Sequence, residues 1–122
     1  MAAKAIPIST VTASREGTIA VVRVVGEIDM SSVEPLDTAV RQELDAKPAG
    51  LVLDLLDVGF WGSSGIRTLL ETRARTESGQ TALRLVAQGP IVLRPLEICG
   101  LAPLFHVHET VPSAVRELAT SA

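Results

Sequence analysis

Leu51-Val52-Leu53-Asp54-Leu55, continuing through Leu56 into Asp57-Val58-Gly59-Phe60-Trp61-Gly62-Ser63-Ser64-Gly65-Ile66, is the stretch whose reading decides the fold. Leu51 to Leu55 is a short, almost continuously apolar run that follows a segment of helical spacing. That is the pattern of a parallel strand buried on both faces by crossover helices, so it is placed at the centre of a sheet. The residues from Asp57 to Gly65 read as a glycine-containing loop that leads into an amphipathic helix. Ile66, Leu69, Leu70 and Ala74 form the expected apolar stripe of that helix, with Arg67, Glu71 and Arg75 on the other side and Ser78-Gly79 as its end.

Towards the N-terminus, Lys47-Pro48-Ala49-Gly50 closes a helix carrying Val33, Leu36, Val40 and Leu44 at helical spacing, with Ser31 or Ser32 as its cap and Pro35 in its first turn. Before it, Ile19 to Val25 is β-branched and apolar on both faces except at Arg23, as in an interior strand, and Gly26 is expected to end it. Ile8 to Ala13 is a short first strand, Glu16-Gly17 a turn and Met1 to Pro7 a loose arm. Towards the C-terminus, Leu83 to Ala87 is another strand. Pro90 suits a helix start, but Pro95 follows a turn later, so the helix either begins nearer Val92 or has a distorted first turn. Cys99-Gly100 terminates it, Phe105 to His108 is a short strand, and Pro112 opens a last helix anchored by Val115 and Leu118. The alternation of strands and helices implies an α/β domain with a mostly parallel sheet.

Composition narrows the function. The 122 residues fit one domain, and with 47% hydrophobic and 20% charged residues the chain can bury a core. Phe60, Phe105 and Trp61 are the only aromatics, the net charge is -3, and the basic residues stand singly. Base stacking and phosphate-backbone binding both lack material, so nucleic acid is excluded as a partner. No apolar run approaches the roughly 18 residues of a membrane span, and no signal peptide follows Lys4, so a cytoplasmic protein without membrane insertion is expected. Cys99 is the only cysteine, which rules out an internal disulfide, and a buried thiol is the expectation.

Loops at the C-terminal ends of parallel strands are where open α/β sheets place their sites. The helix start at Ser63 and Ser64 offers unpaired amides and the positive end of a macrodipole, which would accept a phosphate on either hydroxyl. From local sequence alone, Ser63 reads first as a plain helix cap. Gly62-Ser63-Ser64-Gly65 suggests a hydrolase nucleophile elbow only superficially, since Ile66 occupies the second glycine position and no acid-base partner is placed. His106 and His108 would share one side of a strand, as metal ligands do, but no carboxylate or cysteine cluster completes a site, so no metal is expected. No Walker-type motif supports a nucleotide sensor, and no cofactor is expected.

Four landmarks in order carry a family resemblance: Gly26-Glu27-Ile28-Asp29, Leu53-Asp54-Leu55, Val58 to Ile66, and Leu96-Glu97-Ile98-Cys99-Gly100-Leu101. Over about Thr18 to Leu118 the chain resembles STAS domains, especially anti-sigma factor antagonists. The resemblance implies a small single-domain STAS-like α/β fold, with a mostly parallel mixed sheet of about five strands and about four helices packed chiefly on one face. It implies no catalysis. The partner would be an anti-sigma factor that is a serine kinase, phosphorylating the first hydroxyl of the loop, here Ser63, and releasing the modified protein. Asp29, Trp61, Gly62, Ser63, Ser64, Gly65 and Arg67 are the implied partner-binding residues, in a monomer or weak dimer. Asp29 also reads as a local backbone-bonding turn residue. Gly62 stands where the family commonly has Asp, a carboxylate that could orient the acceptor hydroxyl, and this departure bears on how efficiently Ser63 is phosphorylated. Trp61 is a second departure, either packed under the loop or exposed as an interface anchor. The alternative within the family is a non-catalytic subunit of a larger assembly, such as a lipid-transport complex or a stress-signalling scaffold.

Overall fold

Alternating side chains along two strands, β2 (Ile19–Ile28) and β3 (Gly50–Trp61), divide the core between the two faces of one sheet. The computed structural model describes residues 9–120; the expected arm Met1–Pro7, and Ile8 of the expected first strand, lie outside the described residues. The remaining elements are β1 (Ser9–Glu16), α1 (Glu34–Asp45), α2 (Ser63–Ser78), β4 (Ala82–Val86), α3 (Pro90–Ile98), a 3-10 turn (Ala102–Leu104), β5 (Val107–His108) and α4 (Val111–Thr120). The sheet order is β1-β2-β3-β4-β5, with β1 antiparallel to β2 and all other pairs parallel, so β3 is central as expected.

On one face, Ala20, Val22 and Val24 of β2 and Leu51, Leu53 and Leu55 of β3 pack with Leu36, Val40 and Leu44 of α1, Leu69 of α2, and Val92 and Leu96 of α3. On the other, Ile19, Val21, Val52 and Val86 meet Ala114 and Leu118 of α4. Helices therefore lie chiefly on one face, with α4 alone on the second. Among the described residues, no helix is long and apolar enough to cross a membrane.

The largest departure from expectation is the length of the central strands. Gly26 does not end β2: its φ of +112° lies in a region open to glycine, and the register shifts between Gly26 and Glu27 as the strand runs on to Ile28. That extension pairs Gly26 with Val58, Glu27 with Phe60 and Ile28 with Trp61, so the expected loop from Asp57 to Trp61 is strand. Only Gly62 then separates β3 from α2.

Smaller departures have local causes. Neither Ser31 nor Ser32 caps α1; the cap residue is Val33, and Ser32 is buried in bonds to the preceding strand. The buried stripe of α2 is Gly65, Thr68, Leu69, Thr72 and Thr76, while Leu70 and Ala74 are exposed and Ile66 is half-buried. Small residues serve there because their hydroxyls find acceptors: Thr68 donates to Asp37 Oδ1 of α1 at 2.6 Å, and Thr76 to the Arg73 carbonyl at 2.9 Å. α3 begins at Pro90 rather than near Val92 and tolerates Pro95. The buried anchors of α4 are Ala114 and Leu118, with Val115 only half-buried.

If Gly26 is the bulge that lets β2 accompany β3 to its end, Gly26→Ala will lose about 1–3 kcal/mol from backbone strain. Urea unfolding should show a lower midpoint with an unchanged slope; an unchanged midpoint would remove the bulge's structural importance.

Candidate functional site

The site begins where β3 stops. Trp61 faces the core, 3% exposed, and the next residue, Gly62, donates its amide to the Ile28 carbonyl at 2.9 Å, so the end of β3 stays tied to the end of β2. The Gly62 carbonyl then accepts from Gly65 at 3.0 Å and Ile66 at 3.2 Å, and α2 has begun. Gly62 has an extended backbone, φ -94°, that any residue could adopt. A side chain there would instead meet the Phe60 ring at 3.0 Å and the Ile28 carbonyl at 3.4 Å.

Gly65 is constrained far more tightly. A Cβ at this position would fall 2.5–2.9 Å from three indole carbons of Trp61, closer than real Cβ atoms approach. The indole thus lies directly beneath the first turn of α2. Trp61 packs under the helix start, which resolves its two sequence readings in favour of the buried one.

This packing sets the two serines apart. Ser63, the first residue of α2, is exposed, whereas Ser64 is 9% exposed and turned inwards. Ser63 is not the cap: Gly62 holds that position and makes no side-chain cap bond. The first turn also contains no acidic residue, in contrast to α1, which has Glu34 and Asp37 there. The positive end of a 16-residue helix is therefore presented around Ser63 without a counter-charge of its own.

Asp29 reaches the same end of the sheet because Ile28 pairs with Trp61. Its Oδ1 accepts from the Ser31 hydroxyl at 2.7 Å and the Ser31 amide at 2.8 Å. Ser32 Oγ accepts the Asp29 amide at 2.9 Å and donates to the Glu27 carbonyl at 2.6 Å, while Ser9 donates to the Ser32 carbonyl at 2.9 Å. The Ser31 hydroxyl, then its amide, hold the Asp29 carboxyl below its usual value against the opposing effect of desolvation, and Ser32 adds a lesser lowering. Asp29 is thus a turn-fixing residue, as its local reading proposed.

Between the start of α2 and the end of α3 lies a groove of about 370 Å³, lined by Trp61, Gly62, Ser63, Ile66, Pro95, Ile98 and Cys99. Cys99 is exposed, contrary to expectation, because it caps α3 beyond the last buried residue, Leu96. Sequence reasoning passed over the exposed apolar residues at this end: Ile98 at 73%, Phe60 at 50% and Met30 at 85% exposure. The available signal was an apolar residue off the buried stripe, visible for Ile98 but not for Phe60 while that segment was read as loop. Arg67 stands exposed one turn along α2 from Ser63. The expected residues Asp29, Trp61, Gly62, Ser63, Ser64, Gly65 and Arg67 thus gather at the C-terminal ends of β2 and β3. His108 lies elsewhere, bonded to Ser113 and Glu117, and among the described residues no cluster of His, Cys, Asp or Glu could hold a metal ion.

These features define an α/β module whose site is an open surface built around a helix start. The chain belongs to the STAS domain family, which residues 10–114 match. It is similar to the anti-sigma-F factor antagonist RsfB of Mycobacterium tuberculosis, with 33% identity over 107 residues that cover 87% of this chain and 86% of RsfB. An anti-sigma factor antagonist from Mycobacterium paratuberculosis has a similar structure, with a TM-score of 0.87 and 31% identity over 96% of this chain and 99% of that one. The phosphorylated form of Bacillus SpoIIAA shares the fold at a TM-score of 0.71 and 18% identity, over 89% of this chain and 99% of that one.

Gly65→Ala should cost about 1–3 kcal/mol through overpacking against the indole, and the cost should shrink in a Trp61→Phe background; equal costs in the two backgrounds would show that the residues are not coupled. The lowered pKa of Asp29 means that its carboxylate favours the native state above the ordinary carboxylate value near 4, and that this contribution disappears as pH falls through the lowered native value. The stability gap between wild type and Asp29→Ala, followed by urea unfolding, should therefore be widest at neutral pH and narrow below about pH 4. A gap that does not change with pH would contradict the assignment.

Proposed function

We propose that this protein is an anti-sigma factor antagonist of the cytoplasm: unmodified, it binds a serine-kinase-type anti-sigma factor and frees a sigma factor, and phosphorylation of Ser63 weakens the contact. On this reading it is a ligand and a phosphorylation substrate, and it catalyses nothing. The observation that carries the proposal is the division between the two serines, one exposed at an uncapped helix start and the other buried, beside an apolar groove on the same surface. The names of its mycobacterial relatives support the partner class.

A kinase needs a hydroxyl it can reach, and Ser63 meets that requirement where Ser64 does not. A phosphate adds about -1.5 to -2 charge at the rim of a groove suited to apolar contact, so a surface that docks when neutral becomes costly to desolvate. Arg67 supplies charge one turn along α2 from the hydroxyl and Asp29 fixes the turn at the same end of the sheet, whereas Trp61 and Gly65 act from beneath by fixing the helix start. Gly62 contributes no carboxylate to orient Ser63, so that orientation falls to the kinase and to the helix backbone.

Incubation with ATP and the serine-kinase anti-sigma factor of the same organism, followed by mass spectrometry, should find phosphate on Ser63. Ser63→Ala should still bind that factor but no longer respond to ATP, and its stability should stay within about 0.5 kcal/mol of wild type because no cap bond is lost. Phosphate on Ser64 alone, or none anywhere, would contradict the proposal and favour a non-catalytic subunit of a larger assembly.

A further inference from the structure

We infer that Arg67 captures the phosphate on Ser63, so that modification both adds negative charge and withdraws a cation from the docking surface; the inference rests on Ser63 being the modified residue. Ser63 and Arg67 are four apart on α2, which places them as neighbours on one helix face, and both are exposed. Arg67 makes no hydrogen bond or ion pair among the described residues. The other arginines of the helix are engaged: Arg73 pairs with Glu77 and Arg75 with Asp45, both at 3.1 Å.

The charges around Arg67 favour the phosphate over the alternatives. Asp37 and Arg41 from α1, and Glu71 and Arg75 from α2, line the recess beside it. Asp37 already accepts the Thr68 hydroxyl. Glu71 follows Arg67 by one turn, which is the weaker polarity for an i,i+4 pair, whereas a phosphoserine at 63 precedes it in the stronger one. At the end of β2 the Asp29 carboxylate is already bonded to Ser31 and Ser32, and the charged residues of α3 are Arg94 and Glu97, both exposed. A doubly charged phosphate with three acceptor oxygens matches a guanidinium fork better than an exposed carboxylate does.

The mechanism of release changes accordingly. Before modification Arg67 stands unpaired among the described residues, at the edge of the recess between α1 and α2, and is available to the partner. Afterwards it is turned back along its own helix toward the phosphate. The fold need not move.

The test uses the full chain with phosphoserine placed at position 63 during synthesis, so that neither kinase nor partner is needed. Phosphorus-31 NMR then follows the second ionisation of the phosphate, near 6 for an unperturbed phosphoserine. With Arg67 in place this ionisation should lie about half a unit below that of the Arg67→Gln protein, and the difference should shrink in 1 M salt. Glutamine keeps the helix propensity of arginine, and circular dichroism of both proteins checks that the fold is retained. Equal ionisation in the two proteins, or a lower value without Arg67, would overturn the inference. Either result leaves the identity of the kinase target untouched, because the phosphate is supplied rather than transferred.

Discussion

The absence of room for a Cβ between Gly65 and the Trp61 indole is the constraint on which the rest of the site depends. Trp61 is the last residue of β3 and is buried among the side chains of the larger core. Because α2 rests on that ring, the direction in which the helix leaves the sheet follows from packing rather than from a loop. A single connecting residue, Gly62, leaves little freedom, and its amide is held by Ile28 of the neighbouring strand. Anything that shifts the indole shifts the first turn of α2, and with it the two hydroxyls of that turn.

The same arrangement gives the surface its chemical character. Successive helical residues turn by about 100°, so the step from Ser63 to Ser64 carries one hydroxyl out to solvent and the next into the interior. The helix start receives neither a side-chain cap nor an acid, and the turn through Asp29, which could have supplied one, spends its carboxylate on Ser31 and Ser32. What remains is a positive helix end, an exposed hydroxyl, an arginine unpaired among the described residues and an apolar groove, brought together by the C-terminal ends of two parallel strands.

Much of this was legible in the chain. The apolar run Leu51–Leu55 placed the central strand, because burial on both faces leaves no polar alternation to read, and helical spacing with terminal glycines placed α1 and α2. The end of β3 was not legible: Asp57 and Gly59 look like loop residues, and their strand conformation depends on β2 continuing through a bulge at Gly26, a pairing between segments distant in sequence. The buried stripe of α2 was read at Leu69 and in part at Ile66, but not at its threonines, for a related reason. Periodicity favours Leu70 and Ala74 over Thr68 and Thr72, but the helix rests on Trp61 through Gly65, and Thr68 and Thr76 are satisfied by hydrogen bonds that hydrophobicity does not register. Cys99 went wrong because a preference for burial says nothing about a residue that caps a short surface helix.

The central claim is that the surface around Ser63 binds an anti-sigma factor in one phosphorylation state and releases it in the other. Isothermal titration of the unmodified and the Ser63-phosphorylated protein into the same serine-kinase anti-sigma factor tests it directly. The account predicts that phosphorylation weakens the complex by at least about tenfold, or roughly 1.4 kcal/mol; equal affinity of the two forms would contradict it.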